Sequence, residues 1–374
     1  MFRDGENIML KFSAPMLYTK QDIDDLAKFN DTLTKAKIVT LYDCLPPNVD
    51  GQAGLEQNRG HNPLLKTSQD FFDLVKFAID KGFNFVYLLN GTRAINSNPN
   101  AIESVLSNLD SLVKRLRDVG CNSFRVGNTA TIQYLLEKYP GIDIRTSTTL
   151  GYTNIHQYRN LLKSYPQISE FCLHYDINHD FKLLKNLVQT LPNVQKELMV
   201  NELCIKGCPY RNSHYNFISP RFSMFEVYMH GRCFKEQCGA IAKSDFWQWI
   251  CYSNIIYPWA INEYVNLGIE NYKIAGRNYF PGRNFQSFYY DYLKAVEDED
   301  FMMNMNFFSL LQNQSYISVN TNAVRKLKVK DVIDYLPNIN WFKEHGNECT
   351  SVCGLDCKYC VEKARILKEK FPID

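Results

Sequence analysis

The alternation of short apolar, β-rich runs with amphipathic helical runs most narrows what this chain can become. Strand-like runs stand at 8–15 (IMLKFSAP), 36–43 (AKIVTLYD), 83–90 (FNFVYLLN) and 122–128 (NSFRVGN). Four more follow at 142–148 (IDIRTST), 168–176 (ISEFCLHYD), 196–203 (KELMVNEL) and 270–276 (ENYKIAG). Helical runs separate most of them, among them 70–82, 101–120, 129–141, 154–166 and 180–193, several closed by Gly or Pro as helix ends commonly are. Eight such units in series predict an α/β fold, a (β/α)8 TIM-type barrel. A doubly wound open sheet shares the alternation, but no Gly-rich phosphate-binding turn follows the first strand, so the barrel is preferred.

One connection breaks the rhythm. Between the seventh and eighth strands, residues 204–265 replace a short loop and a single helix, and a long insertion at that edge overlies the active-site face of a barrel. The barrel with this insertion is expected over 1–297, followed by a cysteine-rich helical extension over 298–374. A chain that is 45% apolar and 22% charged has ample material for a core. The first residues carry acidic side chains and no long apolar run, and no segment approaches the roughly 18 apolar residues of a membrane span, so the expectation is a cytoplasmic protein with no membrane partner. A net charge of +2 argues against a protein built to neutralise a long phosphate backbone. The short basic run VRKLKVK (324–330) reads as a solvated face or as a local RNA contact.

The chain has 12 cysteines, which in a reducing compartment are not expected to pair as disulfides. Cys204, Cys208, Cys233 and Cys238 fall at or just past the end of the seventh strand, inside the insertion. Four soft thiolates from one loop suit an iron–sulfur cluster or zinc, and the glycines beside Cys208, Cys233 and Cys238 let backbone approach a cluster. The competing reading makes two or three of them ordinary buried residues, as Cys44, Cys121, Cys172 and Cys251 are read. The tail, CTSVCGLDCKYC (349–360), holds Cys349, Cys353, Cys357 and Cys360, dense enough to predict a second iron–sulfur cluster or a structural zinc. Cys353-x3-Cys357-x2-Cys360 has the spacing of radical S-adenosylmethionine enzymes, but those carry it at the start of a barrel. Here it suits an electron relay or a clip on the C-terminal helices.

Polar residues at the strand ends face the active-site mouth of such a barrel. Arg125, Asn128, Arg145, Ser147 and Lys273 are expected to bind substrate, and the cations among them suit an anionic small molecule or peptide. His174, Tyr175, Glu202 and Arg277 are the candidate catalytic groups, His174 being the natural proton-transfer residue unless it is a satisfied structural histidine. Hydrolytic signatures such as H-E-x-x-H or G-x-S-x-G are missing.

With RTSTTLGYTN (145–154), the cysteine loop after the seventh strand, and GIENYKIAGRNYFPGRNFQSFYYDYLKAV (268–296), the chain resembles the collagenase-like peptidase family U32 over roughly residues 8–297. The YKIAGR element with its upstream IIYP carries most of that likeness; Ala275 stands where the family usually has Glu, and Cys204 and Cys208 lie closer together than its first two cysteines. Despite the family name, its relatives include oxygen-independent hydroxylases of ubiquinone precursors and of tRNA or ribosomal RNA bases, which use a [4Fe-4S] cluster on four cysteines. The resemblance implies such a cluster on Cys204, Cys208, Cys233 and Cys238. The resulting expectation is an iron–sulfur oxidoreductase performing an oxidative modification of hydroxylation type, served by an electron donor or protein partner. The alternatives are a peptidase or peptide-modifying enzyme, and a non-catalytic partner subunit.

Overall fold

Strands β1 (Leu10–Pro15), β2 (Ala36–Asp43), β3 (Asn84–Leu89), β4 (Ser123–Val126), β5 (Asp143–Thr146), β6 (Ile168–Cys172), β7 (Gln195–Met199) and β8 (Asn271–Lys273) follow one another around a closed parallel barrel. The ring shuts where β8 pairs with β1 through Lys11↔Asn271, Phe12↔Tyr272 and Ser13↔Lys273. This computed structural model describes residues 8–45, 62, 64–92, 102–217, 245–276, 286–311, 326–345 and 356–373. The (β/α)8 reading therefore holds, and the strands end earlier than the apolar runs do: the run 168–176 gives a strand of only five residues before a 3-10 turn at Tyr175–Ile177.

Parallel neighbours require a crossover, and helices supply it. They are α1 (Lys20–Asp31), α2 (Ser68–Asp80), α3 (Ile102–Asp118), α4 (Thr129–Lys138), α5 (Ile155–Ser164) and α6 (Phe181–Thr190), with α7 (Arg211–Phe217), α8 (Phe246–Tyr252) and α9 (Ile261–Val265) inside the long β7–β8 connection. Side-chain caps start most of them: Thr19 with Asp22 on α1, Thr67 with Asp70 on α2, Asn128 on α4 and Asn154 with Gln157 on α5. A cap satisfies backbone N–H groups that the first turn leaves unpaired. After β8 come α10 (Gln286–Glu297), α11 (Glu299–Asn304), α12 (Val329–Val332), α13 (Ile339–His345) and α14 (Tyr359–Lys370).

The outward strand faces bury aromatic and branched side chains under the helices. Phe12 stacks on Tyr272 at 5.4 Å and meets Tyr292 of α10 at 5.9 Å, while Phe71 of α2 packs edge-on against Phe85 and Tyr87 of β3. Burying each such ring or aliphatic chain contributes about 1.5–3 kcal/mol. The same apolar core runs without a break into the C-terminal helices, taking in Val329, Val332, Leu336, Phe342, Ala364 and Leu367. There α14 packs on α8, and Trp247 Nε1 donates to the Phe371 carbonyl at 2.7 Å. Among the described residues no helix is long and apolar enough to cross a membrane.

Candidate functional site at the barrel mouth

The barrel interior is polar at mid-height. Side chains from strands that are not neighbours meet there, so they point inward. Arg125 of β4 reaches across to Glu197 of β7, bonding Oε1 at 3.0 Å and closing a short contact with Oε2, and donates to Glu170 of β6 at 2.8 Å. Ser13 of β1 donates to Glu197 at 2.5 Å, and Arg145 pairs with Asp143 at 3.0 Å and with Glu170 at 3.5 Å. Arg125 is fully buried, and its Nε has no hydrogen-bond partner among the described residues. Lys273 lies over the Tyr42 ring at 4.3 Å.

Two carboxylates sharing one guanidinium cannot be equivalent. Burial, and next the charge of Glu197, push the Glu170 carboxyl up to about 7. Burial acts the same way on Glu197, but Arg125 and Lys273 outweigh it and bring its carboxyl down to about 2. Glu197 is the ionised partner of Arg125, and Glu170 is the proton-holding one.

Above this layer the chain leaves β6 and β7 and builds the mouth. His174 is buried, stacks on Tyr175 at 4.6 Å, and its Nδ1 accepts the Asp176 N–H at 3.3 Å. Burial lowers its pKa to about 4, so the ring is neutral at pH 7 and carries its proton on Nε2. The Tyr175 and Tyr215 hydroxyls are 2.6 Å apart, and with Met199 these tyrosines form a small apolar cluster against which Cys204 and Ala275 pack.

Cys204 and Cys208 sit on the loop between β7 and α7, both partly buried. That loop is tied down at several points. Ile205 makes an antiparallel bridge with Ser253, Lys206 N–H donates to Tyr252 at 3.0 Å, and Asn254 Nδ2 donates to the Cys204 carbonyl at 2.9 Å and to Asp176 at 3.0 Å. Glu202 accepts the Cys204 N–H at 2.9 Å. Loss of water, then the Glu202 charge, hold the Cys204 thiol well above its ordinary range, with a smaller contribution from Cys208. Such a thiol stays protonated unless a cation binds it.

The remaining predicted residues have structural partners. Asn128 caps α4, its Oδ1 accepting the Thr131 N–H at 2.8 Å and its Nδ2 donating to Gly91 at 3.2 Å. Ser147 caps a 3-10 turn at Thr148–Leu150, its Oγ accepting from the Thr149 hydroxyl at 3.0 Å. Arg125 and Arg145 are engaged by carboxylates inside the barrel, below the mouth. In the tail, Cys357 is partly buried and Cys360 packs on the core beside Tyr359, whose ring stacks on Trp341 at 4.3 Å. Arg277, Cys233, Cys238, Cys349 and Cys353 lie outside the described residues. Among the described residues no group of three or more His, Cys, Asp or Glu is placed to hold a metal ion.

Sequence reasoning passed over Glu170, Glu197, Arg211 and Tyr215. A signal existed for the first two: a charge in the middle of an apolar strand run needs an inward partner. Arg211, three residues after Cys208, had no comparable signal, because its ion-pair partner Asp176 belongs to a different part of the chain.

Neither a family model nor a curated protein matches the sequence. Among solved structures the chain is similar to the U32 peptidase Mk0906, at 12% identity and a TM-score of 0.44, over 75% of this chain and 98% of that one. It is also similar to CdNal from Clostridium difficile in complex with mannosamine, at 12% identity and a TM-score of 0.35, over 96% of this chain and 98% of that one. At such identities and TM-scores the likeness carries no argument, and chemistry has to be argued from the mouth itself.

Proposed function

We propose that this chain is an iron–sulfur enzyme of U32 type, performing an oxidative modification of hydroxylation type on an anionic small molecule or peptide bound at the barrel mouth. One observation carries the reading: Cys204 and Cys208 stand on one pinned loop at the C-terminal end of β7, followed by the buried guanidinium of Arg211, whose Nε has no hydrogen-bond partner among the described residues. In this proposal Cys204 and Cys208 supply two of the thiolates a cluster needs, and Cys233 and Cys238, which lie outside the described residues, supply the others. When bound there, a cluster supplies one-electron chemistry at the mouth.

The chain's own residues then take distinct parts. Neutral His174 offers its Nε2–H as a hydrogen-bond donor to substrate. Glu202, an acceptor at the foot of the cysteine loop, is the group to receive a proton. The Tyr175–Tyr215 pair closes the floor with an apolar wall, keeping water from the reacting groups. Lys273, buried beneath the mouth, provides positive potential for an anion. Arg277 belongs to the same set by its place after β8.

Anaerobic purification tests the proposal directly. The expected product is brown protein with equimolar iron and sulfide, and Cys204→Ser or Cys208→Ser should strip the iron while the fold persists by circular dichroism. Iron-free protein, or colourless protein containing zinc, overturns it.

A further inference from the structure

A cavity of about 30 Å³ lies at the seam between the barrel and its C-terminal helices. The β7–β8 connection lines it with Cys251, Ser253, Tyr257 and Tyr264, and α13 adds Ile339 and Phe342. Tyr257 is only 7% exposed, and its hydroxyl has no hydrogen-bond partner among the described residues. The ring is held in place: it stacks on Trp259 at 4.3 Å, meets Phe307 at 6.2 Å, and the Tyr257 carbonyl accepts the Ala260 N–H at 3.0 Å. Burial, and next the neighbouring Cys251, hold the phenol well above its ordinary range, so it keeps its proton and remains a donor. The other hydroxyls of the wall are engaged. Ser253 Oγ donates to the Ile250 carbonyl at 2.8 Å, and the Tyr264 hydroxyl lies 3.2 Å from Nδ1 of His179, whose ring stacks on Phe342 at 4.7 Å. A buried hydroxyl left alone in a native fold calls for a partner.

Volume decides what that partner is. A buried water needs roughly 10–15 Å³ of such space, whereas a benzene-sized guest fills a cavity of about 150 Å³. The seam therefore takes one or two waters and no larger molecule. A buried water also needs two or more polar partners. Tyr257 offers an O–H, and the Ser253 and Tyr264 oxygens keep lone pairs beyond the bonds they already make. We infer that this cavity is a built water site, in which one or two ordered waters accept the Tyr257 O–H bond and donate in turn to the Ser253 and Tyr264 oxygens. Ile339 and Phe342 supply part of the wall, so the site is complete only with α13 seated, and its water belongs to the docked state of the C-terminal helices. The inference is independent of the chemistry proposed for the mouth.

The test uses the full-length chain, as wild type and as Tyr257→Phe. A crystal structure of the wild type should show water density within hydrogen-bond distance of Tyr257 Oη. In urea unfolding, Tyr257→Phe should lower the folding equilibrium constant by about fivefold, because phenylalanine gives up a satisfied hydrogen bond. A hydroxyl buried without any partner would reverse the sign, since removing it relieves the fold. A wild-type cavity without water density, or a Tyr257 hydroxyl bonded directly to the Cys251 thiol, overturns the inference. So does a Tyr257→Phe chain that is as stable as wild type or more so. If Tyr257→Phe does not fold, the wild-type density decides alone.

Discussion

Glu170 and Glu197 share one guanidinium yet titrate in opposite directions, and this sets how stability follows pH. In the fold Glu170 keeps its proton up to about pH 7, whereas its ordinary value is 4.5. Between those values the native state binds more protons than the unfolded chain, so this residue's contribution falls as pH rises. Two histidines, His174 buried and His179 half-buried, work the other way: loss of water lowers His174 to about 4 and His179 to about 3 from an ordinary 6.5, so their contribution is lost as pH falls through that range. The readable quantity is therefore a difference. The urea midpoint of Glu170→Gln relative to wild type should rise between pH 5 and 7, and a constant difference would show that Glu170 is ionised throughout. Glu197 is the partner that Arg125 cannot spare. Glu197→Gln should cost about 3–5 kcal/mol in urea unfolding, because it strands a buried guanidinium. Replacing both residues, as Arg125→Met with Glu197→Met, should cost less than the single change, and the reverse order would show that the pair is not coupled.

At the scale of elements, the last barrel helix bolts the start of β2. Glu297 at the end of α10 accepts N–H bonds from Thr34 at 2.9 Å, Lys35 at 2.5 Å and Ala36 at 2.9 Å, and the Thr34 hydroxyl at 2.9 Å. Glu297→Ala should cost about 1–3 kcal/mol and speed amide exchange at residues 34–36 ahead of the rest of β2. Unchanged exchange there would mean that water replaces the carboxylate at no cost. At the opposite end of the barrel, Gly127 leaves no room for a side chain: a Cβ would stand 2.5 Å from the Asn90 carbonyl oxygen and 2.5 Å from Thr149 Oγ1. Gly127→Ala should destabilise by about 1–3 kcal/mol and shift amide resonances in the loops around Asn90 and Thr149; a variant as stable as wild type would show that the β3 and β5 loops part freely. These elements also show what the sequence could and could not disclose. Eight strands were legible because an apolar run bounded by Gly, Pro or a cap states its own period. Their ends were not, since LHYD after Cys172 keeps the apolar–polar alternation of a strand but is turned by the His174 cap. The cysteine loop was legible as thiols in a row. Its guanidinium was not, because Arg211 is fixed by Asp176 from another βα unit, and no spacing rule spans that distance.

For the whole molecule, the decisive feature is that the C-terminal helices complete the barrel's outer layer. Leu367 of α14 is fully buried in the common core. Leu367→Ala should cost about 2–5 kcal/mol and lower the barrel's melting with it, in one transition by far-UV circular dichroism; a separate early transition would mean that the extension docks as an independent unit. The four tryptophans of the chain, Trp247, Trp249, Trp259 and Trp341, all stand on or beside this seam: Trp247 against Phe371, Trp249 with it on α8, Trp259 in a small cavity with Ile339 and Phe342, and Trp341 against Tyr359. The eight strands carry none. The molecule thus contains its own optical gauge of whether its tail is seated: the native emission of this protein reports the docking of the last helices.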